Sequence, residues 1–249
     1  MIPDFLIIGA QKSGTSSLFL YLSQHPDILS PCVNKELHYF DLNFKQSSKW
    51  YRAHFPFKKL GKITGEKSPY YIFHPLVPKR CFEFNPDFRL IALLRDPVKR
   101  AYSHYHHEIE NRRESRAFRQ AVQQDMERVD KDHCLLSRSE ISYSQVHHRY
   151  SYFARGRYAD QFDLWTLLFS REKIYLETAE RFFREPQALC SEIFDFLDLS
   201  PWEVTADRLH NKGAYSPMSN EDRLWLAGLY KKHNARLTQD YGVDISDWT

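Results

Sequence analysis

The sequence predicts an α/β protein in which a doubly wound parallel β-sheet with a P-loop-like first turn is flanked by helices. We expect a single domain over residues 1–249. Short apolar runs typical of buried strands alternate with helical patterns along the chain. The first apolar run leads through a tight, glycine-containing turn into a helix. The 249 residues, 42% of them hydrophobic, suffice for one large domain with a sizeable core.

Strands are predicted where a short apolar or β-prone run is bounded by polar or turn-forming residues. The runs with this pattern are 5–8, 62–66, 88–94 and 173–177. The run 88–94 is almost entirely apolar, which is typical of a strand buried on both faces of a parallel sheet. Because helical patterns separate the runs, we expect parallel neighbours joined by right-handed crossovers.

Helices are predicted from the spacing of apolar residues and from start and stop signals. Pro26 stops the first helix, Asp96 and Pro97 fit the N-cap and first position of another, and Pro186 opens a later one. The predicted helices cover residues 15–22, 49–55, 75–84, 97–110, 114–132, 158–169, 186–197 and 220–237. Residues 133–156 are polar and irregular, and we expect either a ligand-binding loop or a solvated connection there.

The composition excludes several classes of protein. The 35 Lys and Arg against 32 Asp and Glu give a net charge of +3, so a nucleic-acid partner is not expected. The four cysteines are far apart in the sequence, which indicates neither a zinc motif nor a redox pair. No basic leader and no apolar run near the ~18 residues of a membrane helix is present. We therefore expect a cytoplasmic protein without a membrane partner.

The turn after the first predicted strand has the composition of an anion-binding site. Backbone N–H groups, the positive end of a helix dipole and a lysine charge converge in such a turn, which favours a phosphate-like group. The candidate binding residues are Lys12, Ser13, Gly14, Thr15, Ser16 and Ser17. Gly9 and Gly14 have the spacing of a nucleotide-binding P-loop, but Thr15 stands where that motif has lysine.

Other strand ends add positive charge at the same edge of the sheet. In doubly wound sheets, ligands bind beyond the carboxyl ends of the strands. The predicted ends lie at residues 9–15, 66–69, 95–96 and 177, and the first three contain lysine or arginine. Local positive charge, rather than the nearly balanced total, therefore marks the predicted site.

Two motifs on these elements resemble those of the sulfotransferases that use 3′-phosphoadenosine 5′-phosphosulfate (PAPS). Residues 11–15 resemble the Q-K-[ST]-G-[ST] loop that holds the 5′-phosphosulfate in that family. Residues 95–97, with Ser103 seven positions after the aspartate, resemble the R-D-P motif and serine that hold the 3′-phosphate. The resemblance implies an α/β sulfotransferase with PAPS as co-substrate and without a metal.

Further segments resemble the heparan-sulfate glucosaminyl branch of that family. Residues 35–41 resemble its K-E-x-H-F-F-D segment, 66–71 its E-K-[ST]-P-x-Y segment and 156–169 its G-x-Y-x-x-x-L-x-x-W-x-x-x-F segment. Residues 212–217 resemble its K-G-R-x-x-P loop over the nucleotide. The implied donor contacts there are Lys212, Gly213 and Ala214, with Ala214 where that branch has arginine. We expect neither the membrane anchor nor the disulfide-bearing insertion of the branch in this protein, so the expected acceptor is a saccharide or a small molecule.

The resemblance also implies the roles of the candidate catalytic residues. Glu36 takes the proton of the acceptor as general base, and Lys12 stabilises charge on the bridging oxygen of the donor. His38 orients the acceptor or shares the role of the base, and Lys67 is a second electrostatic group. Arg95 and Ser103 clamp the 3′-phosphate. Residues 133–156 then become the possible acceptor-binding loop region.

Two other functions fit parts of the pattern. A P-loop-type kinase of a small metabolite is disfavoured by Thr15 and by the R-D-P run. A catalytically silent nucleotide-binding module is disfavoured by the presence of Lys12 and Glu36. The histidines at 104–107 and 147–148 lack a metal-binding pattern, so no metal is expected. The sequence does not distinguish between O- and N-sulfation, and it specifies neither the acceptor nor the oligomeric state.

Overall fold

The computed structural model describes residues 2–32, 36–57, 59–205 and 215–248. Its strands within these ranges are β1 (Phe5–Gly9), β2 (Ile28–Leu29), β3 (Ile63–Lys67), β4 (Arg89–Leu94) and β5 (Ile174–Thr178). They form one sheet in the order β2-β3-β1-β4-β5, and all neighbouring strands are parallel. The predicted α/β fold with a parallel sheet is confirmed.

Helices flank this sheet and connect its strands. They are α1 (Thr15–Leu22), α2 (Ser48–Arg52), α3 (Val77–Phe84), α4 (Pro97–Glu110), α5 (Phe118–Ser137), α6 (Gln145–Arg149), α7 (Tyr158–Thr166), α8 (Ala179–Arg184), α9 (Pro186–Phe196) and α10 (Asn220–Tyr241). Two 3₁₀ turns cover Ala154–Gly156 and Arg171–Lys173. Among the helices of the described ranges, none is long and apolar enough to cross a membrane.

Alternate residues of the central strands face two hydrophobic clusters, one on each side of the sheet. Leu6 and Ile8 belong to a cluster that contains Trp165 of α7. Phe5 and Ile7 belong to a second cluster, together with buried residues of α1, α8 and α9. Successive side chains of a strand point to opposite faces, so both faces of β1 are buried. This two-sided burial explains why β1 and β4 are continuous apolar runs and confirms the doubly wound arrangement.

A third cluster joins α4, α5 and α10 beside the sheet. Tyr105 of α4, Val122 of α5 and Tyr230 of α10 are among its buried members. Asp96 is the N-cap of α4, and its carboxylate accepts a hydrogen bond from the N–H of Val98 at 2.9 Å. The helix therefore begins directly at the carboxyl end of β4, next to the edge of the sheet where the ligand was expected.

The structure corrects the description of the region 133–156. About half of this region is helical, because α5 continues to Ser137 and is followed by α6 and a 3₁₀ turn. Its role in acceptor binding stays a prediction. The sequence patterns also do not predict β2 or α8, since elements of two and six residues are too short to show periodicity. The α7 helix ends at Thr166, before its predicted end, and α10 extends to Tyr241.

Close packing of the central strands predicts a large effect at Gly65. This residue of β3 lies opposite Phe5 of β1, and a Cβ added there would be 2.4 Å from the Phe5 ring. We expect Gly65→Ala to lower the free energy of unfolding by roughly 1–3 kcal/mol, because an overpacked core must rearrange. Urea unfolding measures the change.

Gly228→Ala is the matched control. Nothing lies within 4 Å of a Cβ at this exposed position of α10, and alanine favours the helix. The control should raise the free energy of unfolding by up to about 1 kcal/mol. If both variants changed stability in the same direction and by the same amount, the account of the packing around Gly65 would be wrong.

Candidate active site

The candidate site lies at the carboxyl edge of the sheet, where β1 sits between β3 and β4. Successive connections diverge from β1 at this point, which is where doubly wound sheets bind ligands. Ile7 of β1 is paired in register with Lys67 of β3, and β4 ends at Leu94, directly before Arg95. The structure therefore brings together the strand ends that carry Lys12, Lys67 and Arg95.

The loop between β1 and α1 presents an uncapped helix N-terminus. The N-cap of α1 is Gly14, and no side chain caps the helix. The N–H groups of the first turn have no partner inside a helix and are available to a bound anion. Gly14 has a φ of 87°, and a Cβ added there would be 2.7 Å from the Phe183 ring. Glycine is therefore required at this position by both conformation and space.

The hydroxyl groups of this loop fit an anion with several oxygens. Ser13, Thr15 and Ser17 are buried, and Ser16 is half-buried. The Oγ of Ser13 is buried and has no hydrogen-bond partner within the described ranges. A buried hydroxyl without a partner is costly, so a ligand that accepts its hydrogen bond would remove an existing penalty.

Lys12 lies at the tip of this loop with a φ of 70°, in the left-handed region that is unfavourable for a residue with a side chain. Its carbonyl accepts a hydrogen bond from Nη1 of Arg95 at 3.0 Å, which ties the loop to the end of β4. Burial is the main cause that lowers the pKa of Lys12. The charge of Glu110 opposes this shift, and that of Arg95 adds to it. A partly desolvated ammonium in this position is suited to stabilise negative charge that develops on a bound group.

Glu36 is the central member of a chain of charged side chains. Its Oε2 is 3.1 Å from Nε2 of His38, and its Oε1 is 3.6 Å from Nζ of Lys67. The other ring nitrogen of His38 lies 2.8 Å from Oδ2 of Asp41. The structure thus brings three predicted catalytic residues together and adds Asp41, which the sequence analysis did not single out.

The charges in this chain determine the protonation of Glu36 and His38. Burial alone would raise the pKa of Glu36, but the hydrogen bond from His38 and the charge of Lys67 outweigh it, and the pKa is lowered. Burial alone would lower the pKa of His38, but its bonds to Asp41 and Glu36 outweigh it and raise the pKa to about 10. At neutral pH Glu36 is therefore ionised and His38 is a cation. This state fits His38 for orienting Glu36, whereas sharing the role of the base requires a neutral ring.

A buried carboxylate beneath this chain holds the backbone that carries it. Oε1 of Glu66 accepts hydrogen bonds from the hydroxyls of Tyr51 at 2.6 Å and Tyr71 at 2.9 Å, and Oε2 accepts from Ser68 Oγ at 3.2 Å. Burial raises the pKa of Glu66 to about 7, although these three hydrogen bonds oppose the shift. Both carboxyl oxygens of Glu66 thus have hydroxyl partners, and the network holds the end of β3 in place.

The same hydroxyl groups bind the segment that follows Glu36. The Tyr71 hydroxyl accepts from the N–H groups of Tyr39 at 2.8 Å and Phe40 at 3.3 Å. The N–H of His38 donates to Ser68 Oγ at 3.2 Å. Because these bonds fix the backbone on the carboxyl side of Glu36, the network at the end of β3 sets where that carboxylate lies.

Arg155 connects the loop between β1 and α1 to the rest of the region 133–156. Its guanidinium is buried, donates to Oε1 of Gln11 in the loop, and donates to the carbonyl of His148 at 2.6 Å. The charge lies 4.7 Å from the centre of the Tyr70 ring. Burial lowers the pKa of Arg155 to about 10, so the side chain stays charged at neutral pH. Its place directly before the G-x-Y motif is the only signal in the sequence that points to it.

The other residues that the sequence singled out lie in different parts of the chain. Ser103 is buried on α4, the helix that follows Arg95. Lys212, Gly213 and Ala214 lie outside the described residues. Of the histidine clusters, His147 makes hydrogen bonds to Tyr70 and His133 and is part of the protein interior. The described ranges contain no group of three or more side chains arranged to hold a metal ion.

Comparison with known proteins identifies one family. Residues 2–240 match the sulfotransferase domain. The chain is 26% identical to the membrane-associated sulfotransferase kil1 of Dictyostelium discoideum, over 95% of this chain and 64% of that protein. It is 30% identical to human heparan sulfate glucosamine 3-O-sulfotransferase 6, over 79% of this chain and 52% of that protein. The chain therefore spans between about half and 64% of the length of these curated relatives.

A solved structure agrees with this assignment over the whole chain. The fold superposes on the crystal structure of a sulfotransferase from Alicyclobacillus acidocaldarius with a TM-score of 0.82 and 29% sequence identity. The match covers 100% of this chain and 99% of that one. The sulfotransferase domain of the curacin biosynthetic pathway shares the fold alone, with a TM-score of 0.51 and 13% identity.

The raised pKa of Glu66 makes stability depend on pH. The folded protein keeps this carboxyl protonated up to about pH 7, whereas the unfolded chain releases the proton near its ordinary pKa of 4.5. Between these values the folded state binds more protons, so this group makes the free energy of unfolding fall as pH rises. Glu66→Gln is neutral at every pH. Relative to the wild type it should gain roughly 3 kcal/mol between about pH 4 and pH 8.

Urea unfolding at several pH values measures this difference. Glu83→Gln is the control, since Glu83 is an exposed carboxylate of α3 that pairs with Lys79 at 3.7 Å. The control should follow the wild type at every pH. If the free energy of unfolding of Glu66→Gln and of the wild type changed in parallel with pH, the raised pKa of Glu66 would be contradicted.

Proposed function

This chain belongs to the sulfotransferase domain family, and we propose that it transfers a sulfuryl group from PAPS to a hydroxyl or amine of a saccharide or small-molecule acceptor. One observation carries the proposal. The ionised carboxylate of Glu36 is held by His38 and Lys67 at the same sheet edge as the anion-binding loop with Lys12. A base for the acceptor and a cation for the donor thus lie at one edge of the sheet, and group transfer requires both.

The donor contacts follow from the two anion-binding elements. The loop residues Lys12, Ser13, Gly14, Thr15, Ser16 and Ser17 would bind the 5′-phosphosulfate through first-turn N–H groups and the unpaired hydroxyl of Ser13. Arg95 and Ser103 would bind the 3′-phosphate at the end of β4 and on α4. The sequence resemblance adds Lys212, Gly213 and Ala214 as contacts to the nucleotide.

The acceptor is supported by the named activity of a relative. Human heparan sulfate glucosamine 3-O-sulfotransferase 6 is named for transfer to a sugar hydroxyl, which favours a saccharide acceptor here. The 133–156 region contributes Tyr143, whose ring is exposed and whose hydroxyl lies 3.3 Å from Nδ1 of His148. The His148 ring is in turn 6.2 Å from that of His38. These contacts support a place for the acceptor beside the base.

The reaction is an in-line displacement. The acceptor oxygen or nitrogen forms a bond to sulfur while the bond from sulfur to the bridging phosphate oxygen breaks. Glu36 takes the proton of the acceptor, and Lys12 stabilises the negative charge left on the bridging oxygen. Its lowered pKa keeps Glu36 ionised at neutral pH and therefore ready to accept the proton. His38 and Lys67 hold the carboxylate in place.

The two alternative functions lose support from the family. A P-loop-type kinase would need a lysine at the position of Thr15, and residues 2–240 match sulfotransferases instead. A catalytically silent module would have no use for the ordered chain of Glu36, His38 and Asp41. Turnover separates this module from an enzyme.

Turnover by two variants tests the proposed roles. Glu36→Gln keeps the shape of the side chain but cannot take a proton, so kcat should fall by roughly 10²–10⁴ while binding of 3′-phosphoadenosine 5′-phosphate (PAP) stays near normal. Lys12→Ala should reduce both PAP binding and kcat, because Lys12 contacts the transferring group before and during transfer. Transfer of labelled sulfate from PAPS to amino sugars, polysaccharides, phenols and alcohols measures kcat, and calorimetry measures binding.

The controls are Glu83→Gln and Lys79→Ala, which remove the same charges from an exposed ion pair of α3. Both should keep wild-type kcat and PAP affinity. If Glu36→Gln retained turnover within a few-fold of the wild type at saturating substrates, Glu36 would not be the base.

A further inference from the structure

A cavity opens between α4 and the segment that leads into α10. Its volume is about 190 Å³. Pockets that enclose a whole drug-sized ligand are usually ~300–1,000 Å³, so this cavity fits only one end of a nucleotide. The residues that line it are Arg95, Val98, Lys99, Tyr102, Tyr215, Pro217, Met218 and Arg223.

The lining combines positive charge with an apolar surface. Three of the lining residues are cations, none is acidic, and the others are aromatic or apolar apart from the Tyr hydroxyls. Lys99 is 3.5 Å from the Asp96 carboxylate. Arg223 donates to the side-chain oxygen of Asn220 at 3.0 Å, and in the described part of the chain it has no carboxylate within ion-pair distance. Its charge is therefore available to an anionic group.

The wall of the cavity formed by residues 215–218 is fixed against α4. The Tyr215 ring stacks on His106 with ring centres 4.3 Å apart and planes 2° from parallel. The hydroxyl of Tyr102 donates to the carbonyl of Ser216 at 3.0 Å. This segment is thus held in place without help from a ligand.

The start of α10 is also fixed, which positions Arg223. Arg119 of α5 is 2.9 Å from Glu221 and 2.8 Å from Asp222. Ser219 caps the helix by accepting the N–H of Asp222 at 3.1 Å. Arg223 directly follows Asp222 and is half-buried. The contacts at the start of α10 therefore fix the backbone position from which its side chain lines the cavity.

The cavity is continuous with the donor site. Arg95 lines the cavity, and its guanidinium also donates to the carbonyl of Lys12 in the anion-binding loop. A nucleotide with its 5′-end in that loop would therefore place its other end at the cavity. The apolar and aromatic walls suit a heterocyclic ring, and the two arginines suit a phosphate beside it.

We propose that Arg223 of α10 is a specificity-determining residue that binds the 3′-phosphate of the donor from the side opposite Arg95. Arg223 thereby selects the 3′-phosphorylated nucleotide over the same nucleotide without that phosphate. This inference rests on the proposed function. It also supplies a cation to a chain whose K-G-R-x-x-P-like segment has Ala214 in place of the arginine.

Calorimetric titration with PAP and with AMP tests the inference. The wild type should prefer PAP. Arg223→Gln should lose about 10- to 100-fold in affinity for PAP, the usual effect of one charge-assisted hydrogen bond, and should bind AMP within two-fold of the wild type. Arg223→Lys keeps the charge and should retain most of the preference. Lys231→Gln removes a charge from an exposed position of the same helix and is the matched control.

The possible results distinguish failure of the Arg223 inference from failure of the proposed function. If the wild type prefers PAP and Arg223→Gln keeps that preference, or loses PAP and AMP affinity equally, the inference is overturned and the proposed function stands. If the wild type does not bind PAP, or binds PAP and AMP equally, both are overturned. Thermal unfolding of Arg223→Gln at the wild-type temperature verifies that the titrations compare folded proteins.

Discussion

The hydroxyl of Tyr71 makes the contact on which the geometry of the site most depends. It donates to the buried carboxylate of Glu66 and accepts from the N–H groups of Tyr39 and Phe40. Burial of these polar groups without partners would be costly, so each of them stabilises the position of the others. The segment that carries Glu36 and His38 is thereby joined to the end of β3. The Glu36 carboxylate, which lies on a loop, is in this way positioned by a strand of the sheet.

Two arginines join the loop between β1 and α1 to the same framework. Arg95 binds the carbonyl of Lys12, and Arg155 binds Gln11 while its other donors hold His148 and Ser151. The loop between β1 and α1, the strand ends and the region beside Glu36 are therefore held together as one unit. Positioning and electrostatic stabilisation supply most of the rate in transfers of this kind, so such preorganisation serves the chemistry directly.

The sequence predicts the strands, caps and turns of this site better than the long-range hydrogen bonds that join them. The strand 88–94, the N-cap at Asp96 and the glycine-containing turn from β1 into α1 follow from local residue types, and the structure has all three. The partners of Glu66 and Arg155 do not follow, because Gln11 and Arg155 are separated by 144 positions and no local pattern encodes their contact. The short strand β2 is defined by its pairing with β3, which no periodicity in the sequence shows. The hydrogen bond from Tyr51 to Glu66 likewise depends on a tertiary contact that no local pattern encodes.

The most direct test of the account is the kcat of Tyr71→Phe, which removes one hydroxyl and leaves the ring. We expect kcat to fall by roughly 10- to 100-fold, since a small displacement of the base is enough, while PAP affinity stays close to wild type. The unfolding temperature should fall by roughly 2–8 °C, because the N–H groups of Tyr39 and Phe40 lose their buried partner, so kcat is compared at a temperature where both proteins are folded. Tyr175→Phe is the control, because that hydroxyl donates to Glu192 at 2.7 Å away from the site. A kcat of Tyr71→Phe within two-fold of the wild type would contradict the claim that this hydroxyl positions Glu36.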